Sequence, residues 1–183
     1  MYHEKKKKNK KENTTTQKTI NTDDTSVPVL DGARTQTHRG YLWAYIGDRC
    51  NVVFDYTRTH SRDGPVTFLG DYDGYVQADA YKGYDAFFEK GNTTEVGCWA
   101  HTRRKFYDAQ TSSPLPAHEM VALIAKLYDI ERQAKQNDLD ALAIQKLRQL
   151  HSKPVLDQIS LHLEDWSITV LPKSPIGQAV SYA

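Results

Sequence analysis

Residues 74–84, GYVQADAYKGY, are the stretch on which the reading of the fold turns. Val76, Ala78 and Ala80 alternate with Tyr75, Gln77 and Asp79, the period of an extended chain with two unlike faces. Lys82, Gly83 and Tyr84 break that alternation and lead into an apolar helical run at Ala86, Phe87 and Phe88. The pattern predicts a strand with Asp79 at its carboxyl end, then a helix. In α/β sheets ligands and catalytic groups gather at that end, because the backbone fixes the side chain while the loop leaves it open to solvent. An Asp at a strand-to-helix junction also suits an N-cap, and these residues alone leave both roles open.

Upstream, Thr19–Asp24 and Val27–Leu30 read as an extended segment interrupted by Pro28, with a turn at Asp31 and Gly32. GYLWAYI (40–46) and NVVFDY (51–56) are aromatic and β-branched runs separated by Gly47, Asp48 and Arg49, a hairpin signature. Pro65 suits an early helical turn, and Val66, Phe68 and Leu69 can pack a short helix on the sheet. With a fifth strand at Glu95–Gly97, the order is three meandering strands, a helix, the strand bearing Asp79, a helix and a last strand. That order predicts an α/β fold, a ribonuclease-H-like mixed sheet in which carboxylates on the first and fourth strands lie side by side. Asp23 and Asp24 are the first-strand candidates.

Downstream, CWAHTRRKFYDA (98–109) reads as a helix on which His101, Arg104 and Lys105 share a face. With Arg103 they form a compact basic cluster, readable as phosphate contacts or as a solvated face. Cys98-x-x-His101 has the spacing of half a zinc site but lacks a second Cys or His pair nearby. After Pro114 and Pro116 the chain reads as helical, with apolar stripes at Met120, Ile124 and Leu127, and at Leu139, Leu142, Leu147 and Leu150. A further helix opens at Pro154 and runs through Val155, Ile159 and Trp166. These stripes are packing surfaces, and His151 and His162 read as helix-face residues. Ser174-Pro175 reads as an N-cap with Pro at the first helical position.

Composition bounds the function classes. The 183 residues carry a net charge of +1, so a basic partner surface must be local. Mean hydropathy is −0.67, which suits a fold carrying a polar tail. The lysine-rich residues 1–18 form that tail, which reads as disordered or as a nonspecific nucleic-acid arm. Residues 19–112 then make the ribonuclease-H-like core and 113–183 a helical region. Cys50 and Cys98 are too few for a disulfide framework and point to a reducing compartment. With neither a membrane-length apolar run nor a signal peptide, the chain is expected to be cytoplasmic.

GYLWAYIGD, VVFDY, RDGPVTFL, GYVQADAYKGY, VGCWAHTRRKF and LPKSPIGQAVSYA, in this order, resemble the catalytic region of the insertion-sequence 66 transposases, a DDE-type family. The resemblance covers about residues 20–183. It implies DNA cleavage and strand transfer at mobile-element ends by two-metal chemistry. By position, the family's first acidic residue falls on Asp23 in Asp23-Asp24-Thr25 and its second on Asp79. They would hold Mg²⁺ ions about 3.5–4 Å apart, with Asp24 a neighbour on the opposite strand face. His101, Arg103, Arg104 and Lys105 would contact DNA.

The family's third acidic residue, a Glu in Asn-Asn-x-x-Glu, is expected downstream of SPIGQAVSYA, and neither Glu131 nor Glu164 lies in that context. The expectation is a truncated copy, inactive alone and weak in metal binding, with self-association or a partner chain supplying the missing segment. A noncatalytic DNA-binding or regulatory remnant of a mobile element is the alternative.

Overall fold

The computed structural model describes residues 11–30, 36–47, 51–89 and 91–183. Contacts divide the chain into two units, Met1–Cys98 and Trp99–Ala183. The CWAHTRRKFYDA helix thus groups with the helices that follow it, whereas the sequence pattern places it with the sheet.

In the first unit, the alternation of Thr19–Leu30 forms β1, which continues through Pro28 with no interruption. β2 (Thr37–Ile46) and β3 (Val52–Thr57) are the aromatic runs of the hairpin, antiparallel to one another, and β2 is antiparallel to β1. β4 (Gly74–Gln77) and β5 (Thr93–Val96) complete the sheet in the order β3-β2-β1-β4-β5. β4 runs parallel to both β1 and β5. This mixed sheet has the ribonuclease-H-like arrangement. The turn expected at Asp31 and Gly32 lies outside the described residues, as do residues 1–10 of the tail.

The rest of the tail is ordered. Residues 11–15 form a helix, α1, in which Thr14 is fully buried. The ammonium of Lys11 lies 4.9 Å from the Phe68 ring centre and donates to the Thr67 carbonyl at 3.2 Å. Local composition predicts a solvated tail here; tertiary contacts with the helix carrying Phe68 override it.

One sheet face is the core. Ile20, Trp43, Tyr45, Val53, Val76 and Ala78 project to it and pack with Phe68 and Leu69 of α2 (Asp63–Leu69). Tyr84, ending a 3₁₀ turn (Lys82–Tyr84), and Phe87 of α3 (Asp85–Phe88) close the same cluster. Gly74 lets β4 start close beside β1, since a Cβ there would lie 2.5 Å from the Tyr72 hydroxyl oxygen and 2.8 Å from the Lys18 carbonyl oxygen. Tyr45 stacks on Phe68 with ring centres 3.7 Å apart. Its buried hydroxyl has no partner among the described residues, and burial pushes its phenol pKa up. Tyr45→Phe should therefore keep the fold and raise the unfolding free energy by about 1 kcal/mol in urea titration, because a desolvated hydroxyl without a hydrogen bond is a net cost; a loss of stability would contradict this.

The second unit is helical: α4 (Trp99–Asp108), α5 (Pro114–Gln136), α6 (Ala141–Leu147), a π turn (Arg148–Ser152), α7 (Lys153–Thr169) and α8 (Pro175–Tyr182). Phe106, Met120, Leu123, Ile124, Ile159, Trp166, Ile176 and Ala179 form its core. Ser174 caps α8, its Oγ accepting from the Gly177 N–H at 3.1 Å.

The second leucine stripe does not pack as expected, for Leu142 is 60% and Leu150 69% exposed. The π turn, which holds Leu150 itself, replaces the α-helical repeat after Leu147 with an i→i+5 one, so a spacing regular in sequence is not one continuous face. Glu131 and Arg148 form a bidentate pair, both bonds 2.7 Å, and the guanidinium bonds hold the Glu131 carboxyl below its usual range. Among the described residues, no helix is long and apolar enough to cross a membrane.

Candidate metal centre

The register of β1 and β4 brings Asp23 and Asp79 together. Asn21 and Gln77 are paired across the parallel strands. Asp23 and Asp79 are each two residues further on, which returns both side chains to the face of that pair. Their carboxylate oxygens come within 4.8 Å of one another, Asp23 exposed and Asp79 half-buried. β4 ends at Gln77, two residues before Asp79, where the alternation predicts the strand's carboxyl end. Ala78 still donates its N–H to the Val96 carbonyl at 3.4 Å, and Ala80 turns the chain away with φ +58°. Asp79 is thus held at the sheet's carboxyl edge by a backbone that has just left the ladder.

Each carboxylate is anchored through one oxygen. Asp23 Oδ1 accepts from the Asp24 N–H at 3.0 Å, and Asp79 Oδ1 from the Tyr81 N–H at 3.2 Å. The residue at the N-cap position of the 3₁₀ turn is Tyr81, so Asp79 closes an Asx turn and does not cap that helix. Among the described residues neither carboxylate has an ion-pair partner. Two anions at this separation, each with an oxygen left over, form a donor set suited to a hard divalent cation, which takes oxygen ligands and few carboxylates.

Asp24 faces the other way. It pairs in register with Trp43 on the core side, and both of its oxygens lie 3.1 Å from His60 Nε2. Beside it the Tyr84 and Thr22 hydroxyls bond at 2.9 Å. Burial, with the nearby carboxylates of Asp24 and Asp79 adding to it, raises the pKa of Tyr81. Burial likewise raises that of Tyr84, against the Thr22 bond. Both phenols therefore remain protonated at neutral pH.

The basic residues lie on α4, in the second unit. His101 is half-buried, and its buried Nδ1 has no partner among the described residues. Arg103, Arg104 and Lys105 are exposed, and the Lys105 ammonium sits 4.5 Å from the Tyr182 ring centre. Arg103 leaves the helix on a different side from His101, as a separation of two residues requires. Glu131 is committed to Arg148, and Glu164 accepts from the Ser160 hydroxyl at 3.4 Å. His162 stacks on Trp166 and lies 3.3 Å from Glu119, a helix-face role.

A family model described as "Transposase IS66 family" matches residues 6–183. The chain belongs to that family. Among curated proteins it is similar to three from Sinorhizobium fredii, each named as an uncharacterized protein. With y4jD it shares 30% identity, over 91% of this chain and 35% of that protein. With y4qI it shares 27%, over 90% and 33%, and with y4hP 30%, over 89% and 33%. The chain thus spans about a third of the length of these curated relatives. No solved structure matches it. Membership in the IS66 family makes the function transposase-related. Sequence reasoning misses His60, which bonds Asp24; a lone His between Thr59 and Ser61 carries no motif, and only the folded chain shows what it touches.

Proposed function

We propose that this chain carries the DNA-cleavage and strand-transfer centre of an IS66 transposase, with Asp23 and Asp79 as the carboxylates that hold divalent metal. The observation that supports this most directly is the approach of the two carboxylates to within 4.8 Å, Asp23 from β1 and Asp79 from just past the end of its parallel neighbour β4. Mg²⁺ bound there would polarise a phosphodiester and lower the pKa of an attacking water or 3′-hydroxyl. The protein's part is to fix the ligands. The sheet sets their separation, and the Asp24 and Tyr81 N–H groups fix one oxygen of each, the other having no hydrogen-bond or ion-pair partner among the described residues. The resemblance implies three acidic positions in the intact centre, and the motif-matched residues of this chain supply two.

Phosphate contact falls to His101, Arg103, Arg104 and Lys105. Cations on an exposed helix release counterions from the DNA backbone, so the affinity they supply falls with salt. Replacing Arg103, Arg104 and Lys105 together by Ala should weaken binding to duplex DNA and flatten the plot of log affinity against log salt by about 2–3 units of slope, near 0.9 for each phosphate no longer neutralised. An unchanged slope would remove α4 from the interface. DNA binding that persists while Asp23→Asn and Asp79→Asn leave metal affinity untouched would favour the noncatalytic remnant instead.

A further inference from the structure

The two segments that bear the carboxylates meet at one residue outside the proposed site. His60 lies between β3 and α2, and its ring stacks between those of Tyr41 and Tyr81, with centres 4.4 Å and 4.1 Å away and interplanar angles of 15° and 23°. Trp43 lies beneath the same stack at 5.4 Å. His60 Nε2 is 3.1 Å from both oxygens of Asp24, whose side chain is only 13% exposed. The His60 carbonyl accepts from the Tyr81 hydroxyl at 2.7 Å. Gly83 leaves room for the Tyr81 ring, since any side chain at that position would run into it.

These contacts form a closed pattern. The N–H that anchors Asp23 belongs to Asp24, and the N–H that anchors Asp79 belongs to Tyr81. Those two residues are the ones whose side chains His60 holds. We propose that His60 is a positioning residue for the Asp23–Asp79 pair, tying the β1 backbone to the loop after β4 so that the anchoring N–H groups keep the carboxylates at a cation-binding separation.

This proposal rests on Asp23 and Asp79 holding a divalent cation. His60 touches neither carboxylate and acts through their neighbours, as residues behind metal ligands do when they set ligand orientation; such residues typically govern affinity by 10–100-fold. A stack placed there only for packing would contribute to stability and leave the carboxylates unaffected. The two roles therefore predict different measurements.

The test is Mn²⁺ affinity of the full chain, measured by water-proton relaxation, alongside thermal stability without metal. His60→Phe keeps an aromatic ring between Tyr41 and Tyr81 but loses the bond to Asp24; His60→Gln keeps a donor but loses the stack. Each is expected to fold and to bind Mn²⁺ about tenfold more weakly than the parent chain. Parent-like affinity in both variants overturns the proposal, whatever their melting temperatures. Asp23→Asn/Asp79→Asn serves as the control: if it binds Mn²⁺ like the parent, the metal centre fails. If it loses binding while both His60 variants retain it, the metal centre stands and the role of His60 falls. Should one His60 variant fail to fold, the other decides alone.

Discussion

Trp43→Ala should cost about 4 kcal/mol of unfolding free energy, the largest stability loss expected of any single substitution in the first unit. Trp43 is fully buried in the middle of β2, and its indole N–H donates to Thr57 Oγ1 at 2.7 Å. It sits edge-on to Tyr84 at 6.4 Å and tilted against Tyr81 at 6.0 Å, beneath the His60 stack. Truncation removes the transfer free energy of the largest core side chain. It also leaves a cavity that a central strand, paired on both sides, cannot collapse into. Against a typical total of about 5–15 kcal/mol, this would leave the unit marginal. Urea unfolding followed by circular dichroism measures it. Trp43→Phe, which keeps most of the apolar volume and loses the bond to Thr57, should cost clearly less. Equal losses in the two variants would mean that the hydrogen bond, and not the ring volume, dominates.

The second large effect concerns metal. A ligand that binds only the folded state stabilises it by RT ln(1 + [L]/Kd), so 10 mM Mn²⁺ acting on a site with Kd near 1 mM contributes about 1.4 kcal/mol. In a chain of this length that is a rise of about 3–6 °C in melting temperature. Asp23→Asn/Asp79→Asn should abolish the rise, since an amide is a far poorer ligand for a hard cation than a carboxylate. The metal-free double variant should melt no lower than the parent, because two anions within 4.8 Å of each other are replaced by neutral groups. A rise that survives in the double variant would place the cation elsewhere.

How far the fold is legible in the sequence follows from what each signal depends on. GYLWAYI and NVVFDY carry strand propensity, two-residue alternation and a turn between them, all local, and they form β2 and β3 as predicted. Asp79 is legible as a residue at the carboxyl edge of β4, though not that the ladder stops at Gln77, because the alternation of small residues continues past the last paired position. The approach of Asp23 to Asp79 depends on a parallel register between strands more than 50 residues apart, and no short-range pattern encodes it. It could be expected only from the order of elements and from the family likeness.

His60 marks the opposite limit. Its partners Asp24, Tyr41 and Tyr81 come from three separate segments, so nothing near it in sequence announces the contact. The leucine stripe of α6 fails for a different reason: periodicity assumes one helical repeat throughout, and the π turn after Leu147 changes it. α1 shows the same dependence on context, since Lys11 and Thr14 are ordered by what they meet and not by their own composition.

The central claim, that Asp23 and Asp79 share a divalent cation, is tested most directly by crystals soaked in Mn²⁺ and measured for anomalous scattering. A peak bridging the two carboxylates is expected, with an oxygen of each about 2.0–2.2 Å from the ion, as a Mg²⁺-type site requires. A peak bound by only one of them, or none near either at saturating Mn²⁺, would contradict it.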